Sequence, residues 1–371
     1  MTHHRVAPKL ASLAVLLLAT LAMYVSQGLI HTLVPLRLAS GSASGFVTAC
    51  YFVGFGLGAF LGPLLIRRVG HIRAFAGLLG IVIVAVLSLA LIDALWFWGL
   101  IRLLQGASIA AAVLVVEAWL VSASGPEARG RVLAVYTLAV YGGIGIGPLF
   151  LVFFPDALWQ PFSVAAIILC LAAVPVLFWR TDAPPIPTRT PASWRRLTSV
   201  SPVSLATASA AGFSGGAFTA LGPIYAISLG LDTSGVALIM SVPVIIGLIL
   251  QWPVGALSDR YERRRVMSGA TLVCASFAFA LIWGQSLGVA VVYCLLAGFL
   301  VAMVALALTG AYILMDVHHY ARIAIVDKGA YTNLPSSTPT VFELEPRTVP
   351  DPVTENDLTT TRPDESKNPD A

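Results

Sequence analysis

Two polar residues interrupt a long apolar stretch near residue 100. Arg102 and Gln105 occur in the sequence Arg-Leu-Leu-Gln-Gly and are three residues apart, so on a helix they share one face. A charged side chain inside an apolar helix is costly unless it faces a polar cavity or a partner. The pair therefore indicates a polar pathway through the protein or, as the alternative, an arginine that extends its head to a nearby surface.

Three further residues in apolar stretches could carry or pass a proton. Glu117 lies well inside such a stretch, where a buried carboxyl group can take up and release a proton near neutral pH. It follows Arg102 by about 22 Å along a helix, too far for a direct pair. Gln27 and His31 are four residues apart and share a face, and imidazole titrates near neutral pH. The alternatives are a hydrogen-bonded, structural Glu117 and a His31 that merely lies near the outer surface.

These residues belong to a chain whose composition suits lipid rather than water. Hydrophobic residues make up 58% of the 371 residues and charged residues 11%, and the mean hydropathy is +0.87. A soluble domain has about 25% charged residues. The composition excludes a soluble enzyme, a disordered protein and a nucleic-acid binder as the main body. The expected surroundings are a lipid bilayer, with no nucleic acid as partner.

Ten apolar stretches are long enough to cross a membrane, which takes roughly 20 residues of helix. Because lipid offers the backbone no hydrogen bonds, each stretch must be a helix, and the predicted fold class is an all-α polytopic membrane protein. The predicted spans are residues 10–34, 44–66, 74–93, 95–122, 132–154, 161–179, 203–228, 233–257, 266–284 and 287–315.

The basic residues predict the orientation of these spans. Of the 22 basic residues, 20 lie in loops or termini on one side of the arrangement, whereas Arg37 lies on the other side and Arg102 lies within a span. Positively charged loops stay in the cytoplasm. The sequence therefore predicts a multi-pass protein of the cell inner (plasma) membrane with both termini cytoplasmic.

Polar segments divide the chain into four predicted parts. Residues 1–179 form an amino-terminal domain of six helices, 180–202 a proline-rich cytoplasmic linker, and 203–317 a second transmembrane domain of four helices. Residues 318–371 are acidic and poor in apolar residues, so a disordered cytoplasmic tail is predicted. Pairing Arg68 with Arg260 also pairs Arg73 with Arg265. This weak repeat favours a substrate site between two related halves at the middle of the membrane.

A basic loop follows the second span of the second half. It reads Gly255-Ala-Leu-Ser-Asp259-Arg260-Tyr-Glu-Arg263-Arg264-Arg265. The loop resembles the cytoplasmic signature G-x-L-x-D-R-x-G-R-[RK] of the major facilitator superfamily (MFS) of secondary transporters, with Glu262 replacing the second glycine. The resemblance extends over residues 8–315.

The resemblance implies a gate at this loop. Asp259 would approach the amino terminus of the fifth helix, where the helix dipole is positive. Arg129 and Arg131 would complete a charge network that latches the cytoplasmic side. The alternative is that these arginines only keep the loop on the cytoplasmic side of the membrane.

Two more motifs resemble the same family. Arg102-Leu-Leu-Gln105-Gly106 is similar to its R-x-x-Q-G motif, which implies that Arg102 tunes a proton-carrying or substrate-contacting group. A glycine-rich segment of the fifth span, with Gly143, Gly147 and Pro148, is similar to the G-x-x-x-G-P motif typical of antiporters. Leu151 stands where that motif has its next glycine, and ordinary helix packing is the alternative.

The number of spans departs from the family pattern. Members normally have twelve helices, and ten are counted here, so the sequence predicts an MFS-like two-domain helical bundle without the last two. The four cysteines follow no metal-binding or disulfide spacing. No metal site and no cofactor are expected, and protons are the expected coupling ion.

These observations lead to one functional hypothesis with two alternatives. The hypothesis is a monomeric secondary transporter that exports a small organic molecule by proton-coupled alternating access. The first alternative is a proton-coupled symporter that takes up a sugar or an organic acid. The second is a membrane protein that does not transport, such as a sensor, an assembly partner or a defective paralogue. An enzyme is not expected.

Overall fold

A computed structural model describes residues 6–124, 128–154, 159–178, 202–261 and 263–282, and a few single positions between 292 and 299. All of them belong to one compact unit that spans residues 1–318. The predicted linker before Pro202 and the predicted acidic tail lie outside the described residues. Most of the predicted tenth span lies outside them as well, so the count of ten spans stays a prediction.

The described residues form nine α-helices and one 3-10 helix, and no strand, which confirms the all-α fold class. Six of these helices are long and apolar enough to cross a membrane, counting only the described residues. The bounds follow the predicted spans to within a few residues at most ends. They are α1 Val6–Leu38, α2 Gly41–Val69, α3 His71–Leu91, α4 Leu95–Ala123, α5 Arg129–Ile146, the 3-10 helix Gly147–Phe153, α6 Gln160–Phe178, α7 Pro202–Ser228, α8 Thr233–Arg260 and α9 Arg263–Ala280.

The first four helices are joined by very short links. Ala39 and Ser40 separate α1 from α2, Gly70 alone separates α2 from α3, and residues 92–94 separate α3 from α4. Gly70 has a φ of 83° and donates its backbone N–H to the carbonyl of Ile66 at 2.9 Å. Only glycine adopts this backbone conformation without strain, which accounts for a glycine at a one-residue reversal between two long helices.

Helices α2 and α4 approach each other closely along a seam of glycines. At three positions an added Cβ would collide with a backbone carbonyl of the facing helix, so only glycine permits this distance. These contacts are Gly54 against Leu103, Gly58 against Ala107, and Gly106 against Tyr51. Small residues allow helices to pack closely in membranes. The seam fixes the register of α2 on α4 and thereby the residues that face each other across it.

The fifth predicted span is not one continuous α-helix. The α-helix ends at Ile146, and a 3-10 helix continues from Gly147 to Phe153. Pro148 lacks the backbone N–H that would bond the carbonyl of Ile144 four residues earlier. That carbonyl instead lies against Gly28 of α1, where an added Cβ would come within 2.5 Å of it. The single helix predicted over residues 132–154 is therefore corrected to two segments.

The two halves of the described bundle are in contact through α2 and α7 and through α5 and α8. Ser44, in the first turn of α2, donates its hydroxyl to the carbonyl of Ala220 in α7 at 2.6 Å and is fully buried. At the second contact, a Cβ added to Gly145 would lie 2.8 Å from the side chain of Ile245. Ser44 lies near the predicted outer end of α2, so this part of the interface is on the predicted outer side of the bundle.

Candidate functional site

Arg102 lies inside the amino-terminal bundle and does not reach an outer surface. Its side chain is 1% exposed. Nη1 donates to Oε1 of Gln105 at 2.9 Å, and Nη2 lies 2.9 Å from Nδ1 of His31 in α1. The spacing of Arg102 and Gln105 on one helical face produces the first bond directly. The guanidinium of Arg102 turns toward α1. It does not extend along α4 to a nearby surface, which was the alternative interpretation of this arginine.

The contact between Arg102 and His31 fixes the protonation of one imidazole nitrogen. A guanidinium group only donates hydrogen bonds. Nδ1 of His31 must therefore be the acceptor, so it carries no proton while this bond exists. His31 is partly exposed, whereas Arg102 and Gln105 are buried. Of these three residues, His31 is the one accessible from outside the bundle.

Tyr51 of α2 covers the guanidinium of Arg102 from another side. The Cζ atom of Arg102 is 4.4 Å from the centre of the Tyr51 ring, and the His31 ring meets Tyr51 edge-on with centroids 4.6 Å apart. A cation above an aromatic face is stabilised by the ring quadrupole. Tyr51 could not be selected from the sequence, because no spacing links it to α1 or α4. The contact of Gly106 with the Tyr51 backbone places it there.

Gln27 completes this group of residues. Nε2 of Gln105 donates to Oε1 of Gln27 over 3.4 Å, and both side chains are buried. We refer to Arg102, Gln105, Gln27, His31 and Tyr51 as the Arg102 cluster. Two of its donor atoms have no hydrogen-bond partner within the described part of the chain, Nε of Arg102 and Nε2 of Gln27. The cluster joins α1, α2 and α4.

Glu117 belongs to a separate group of polar residues, closer to the predicted cytoplasmic side. Its Oε1 accepts a hydrogen bond of 3.1 Å from the hydroxyl of Tyr136 in α5. Tyr24 of α1 is close enough to interact electrostatically with Tyr136 and Glu117. We refer to Glu117, Tyr136 and Tyr24 as the Glu117 cluster. It connects α4, α5 and α1, so a change in the charge of Glu117 acts on three helices. As expected from the separation along α4, Glu117 and Arg102 lie in different clusters.

The predicted gate loop includes the end of α8 and the start of α9. Gly255, Asp259 and Arg260 belong to α8, and Arg263, Arg264 and Arg265 belong to α9. The side chains of these residues, Arg265 excepted, lie outside the described part of the structure. Arg129 and Arg131 are exposed in the first turn of α5, and Arg265 is exposed too. The latch between Asp259 and α5 therefore stays a prediction.

The glycines of the predicted packing motif press α5 against α1. A Cβ on Gly143 would lie 2.8 Å from the carbonyl oxygen of Leu21, and one on Gly147 would collide with the carbonyl of Val25. Pro148 begins the 3-10 helix just beyond them. In the described residues, no three His, Cys, Asp or Glu side chains are grouped closely enough to hold a metal ion.

Comparison with known proteins connects this bundle to one family. Residues 16–325 match the profile of the Major Facilitator Superfamily. An uncharacterised MFS-type transporter of Enterobacter sp. (strain 638) is 30% identical over 312 residues, covering 81% of this chain and 79% of the relative. The uncharacterised MFS-type transporter YcaD of Escherichia fergusonii is 28% identical over 306 residues, covering 81% and 79%.

Solved structures show the same fold at low sequence identity. A bacterial homolog of the human lysosomal transporter Spinster, in an inward-facing and occupied conformation, has a TM-score of 0.66 and 14% identity, covering 83% of this chain and 77% of that one. A D-xylose-proton symporter has a TM-score of 0.62 and 15% identity, covering 87% and 91%. The chain belongs to the major facilitator superfamily, and is thus a multi-pass membrane protein of a transporter family rather than an enzyme.

Proposed function

We propose that this secondary transporter exports a small organic molecule in exchange for protons. The observation that carries the proposal is the hydrogen bond from Tyr136 to Glu117, because it links a carboxylate on α4 to α5 and, through Tyr24, to α1. A carboxylate accepts this bond strongly, and a protonated carboxyl group accepts it more weakly. Proton uptake would therefore loosen the contact between α4 and α5 at the inner side.

The proposed direction of transport rests on the resemblance of the fifth span to an antiporter motif. Gly143, Gly147 and Pro148 carry this resemblance, and the two glycines pack closely on α1, as ordinary helix packing also requires. Uptake of a sugar or an organic acid together with protons is the alternative mode of coupling. Everted membrane vesicles distinguish the two modes, because substrate that is exchanged for protons dissipates an imposed proton gradient beyond its passive permeation. The sign of the change gives the direction of transport.

Glu117→Gln is expected to remove proton coupling. Glutamine keeps the size and an acceptor oxygen for Tyr136 but cannot carry the proton, and loss of a proton-transferring group typically costs about 100-fold or more in rate. The measurement is substrate-dependent relaxation of a pH gradient in everted vesicles, made with a panel of small organic anions, amines and neutral compounds. Asp93→Asn is the matched control, because Asp93 is an exposed carboxylate in the link between α3 and α4.

Two outcomes would contradict the proposal. One is proton-linked flux in Glu117→Gln equal to that of the unmodified protein. The other is the absence of proton-linked flux for every compound with the unmodified, correctly inserted protein, which would favour the non-transporting alternative.

Joining the two halves at their outer contact is expected to stop transport. Alternating access requires the contact between Ser44 and Ala220 to open when the outer side opens. We therefore expect that Ser44→Cys with Ala220→Cys, in a protein without its native cysteines, forms a cross-link and loses more than about 90% of flux, which reduction restores. The control pair is Gly45→Cys with Ala220→Cys, because Gly45 has nothing within 4 Å of an added Cβ. Full flux through the cross-linked protein would contradict the alternating-access part of the proposal.

A further inference from the structure

We propose that the substrate is an organic anion, a small monocarboxylate with an apolar body, and that Arg102 and Gln27 bind its carboxylate. This inference rests on the proposed transport function and adds the chemical class of the substrate to it. It follows from the charge of the Arg102 cluster, its two donors without a hydrogen-bond partner and the side chains around it.

The Arg102 cluster contains a full positive charge and no negative one. The groups that contact the guanidinium are an amide oxygen of Gln105, an imidazole nitrogen of His31 and the ring of Tyr51. Among the described residues, no carboxylate pairs with Arg102. An arginine cannot give up its proton, and a buried charge without a counter-ion is strongly unfavourable. The described site therefore lacks one negative charge, and a substrate can supply it.

The free donors of the cluster match a carboxylate. Nε of Arg102 and Nε2 of Gln27 have no hydrogen-bond partner in the described residues, and both side chains are 1% exposed. The two are connected through Gln105, whose oxygen accepts from Arg102 and whose nitrogen donates to Gln27. Guanidinium and amide N–H groups are donors that the two oxygens of a carboxylate accept.

We expect the substrate to reach this site past His31. It is the partly exposed neighbour of Arg102, whereas Arg102, Gln105 and Gln27 are buried. The arriving carboxylate would take the place of the His31 nitrogen at Nη2. This exchange replaces a neutral acceptor with a charged one, which forms the stronger hydrogen bond.

Aromatic side chains next to the cluster favour an apolar substrate body. The Tyr51 ring meets Phe52 edge-on at a centroid distance of 5.3 Å and lies 6.3 Å from the ring of Phe55. Phe52 is 42% exposed, and an added Cβ on Gly216 of α7 would lie 3.5 Å from its ring. The apolar surface beside the charge thus extends toward the second half, where a bound organic molecule would contact both halves.

The test measures binding by the purified full-length protein, without any gradient. The melting temperature is followed with benzoate, benzamide and benzylamine, three probes that share a ring and differ in charge. We expect benzoate to raise the melting temperature by a few degrees in a dose-dependent manner, and the other two to leave it unchanged. Arg102→Gln should abolish this rise, and Gln27→Leu should weaken benzoate binding about tenfold. Arg67→Gln, a change of an exposed arginine, should preserve it.

Several outcomes would overturn the inference. They are stabilisation by benzylamine or benzamide instead of benzoate, no stabilisation by benzoate, or a benzoate effect that survives in Arg102→Gln. If Arg102→Gln does not yield folded protein, Gln27→Leu decides, and unchanged benzoate affinity in that variant would also contradict the inference. Failure of the proposed function is recognised separately. Benzoate that binds without proton-linked flux in vesicles contradicts the transport proposal, whereas proton-linked flux of amines alone contradicts only the substrate class.

Discussion

Leucine at Gly58 is expected to prevent the amino-terminal bundle from folding, while leucine at Gly56 should be tolerated. At Gly58 even a Cβ collides with the carbonyl of Ala107 in α4, so a leucine side chain must push α2 and α4 apart. Overpacking of this kind costs about 3 kcal/mol or more when a backbone has to move. The expected result is a large loss of monodisperse protein in detergent. Any protein that still folds should have a melting temperature lowered by about ten degrees or more.

The control lies two residues away on the same helix. Gly56 has nothing within 4 Å of an added Cβ and is exposed on the face directed away from α4. Leucine there adds an apolar side chain to a surface that meets lipid, which carries little cost. Equal stability of the two variants would show that α2 and α4 do not pack along the glycine seam.

Gln105→Leu is expected to destabilise the protein and to be rescued by a second change that removes the charge. The substitution removes the oxygen that accepts from Arg102 and the nitrogen that donates to Gln27. Removing the hydrogen-bond partner of a buried group typically costs about 1–3 kcal/mol, and more for a charged one, because a donor of the guanidinium is left unsatisfied. We expect a clear fall in the melting temperature of the single variant.

The double variant Arg102→Leu with Gln105→Leu should recover most of that stability but not transport. Apolar residues of similar size can replace a buried polar pair at little cost. The measurement is a double-mutant cycle on thermal stability together with flux in vesicles. Ser122→Leu serves as a control for the general effect of leucine on α4, since Ser122 is exposed and bonds only to the backbone of its own helix. A double variant less stable than either single variant would show that the charge of Arg102 is compensated in the folded protein.

Much of the fold could be predicted from the sequence, because the length of an apolar stretch determines a membrane helix. The bounds of α4 and α8, for example, agree with the predicted spans at their first residues. The end of α5 at Ile146 was not predicted from the sequence, although Pro148 lacks the backbone N–H that a continuous α-helix requires. A proline alone does not end a helix, since α2 continues through Pro63. The carbonyl of Ile144, which Pro148 leaves without its helical donor, lies against Gly28 of α1, and this tertiary contact cannot be predicted from spacing along the chain.

The candidate site was only partly accessible to sequence reasoning. The pairs Arg102 with Gln105 and Gln27 with His31 follow from helical spacing, since each lies within one helix. Their union in one cluster depends on how α1 and α4 pack, which no spacing within a helix encodes. Tyr51 was missed for the same reason, because only the glycine seam of α2 and α4 brings it over Arg102.

The short links between the first helices determine how this chain can enter the membrane. On the predicted outer side, only Ala39 and Ser40 join α1 to α2, and only residues 92–94 join α3 to α4. These outer links contain very little polar chain that must be moved across the bilayer. We therefore expect no intermediate of the nascent protein in which α1 spans the bilayer while α2 lies in water on the outer side. Insertion is instead expected to proceed by hairpins, α1 with α2 and then α3 with α4. A longer outer link would change the order of biogenesis before it changed the folded protein.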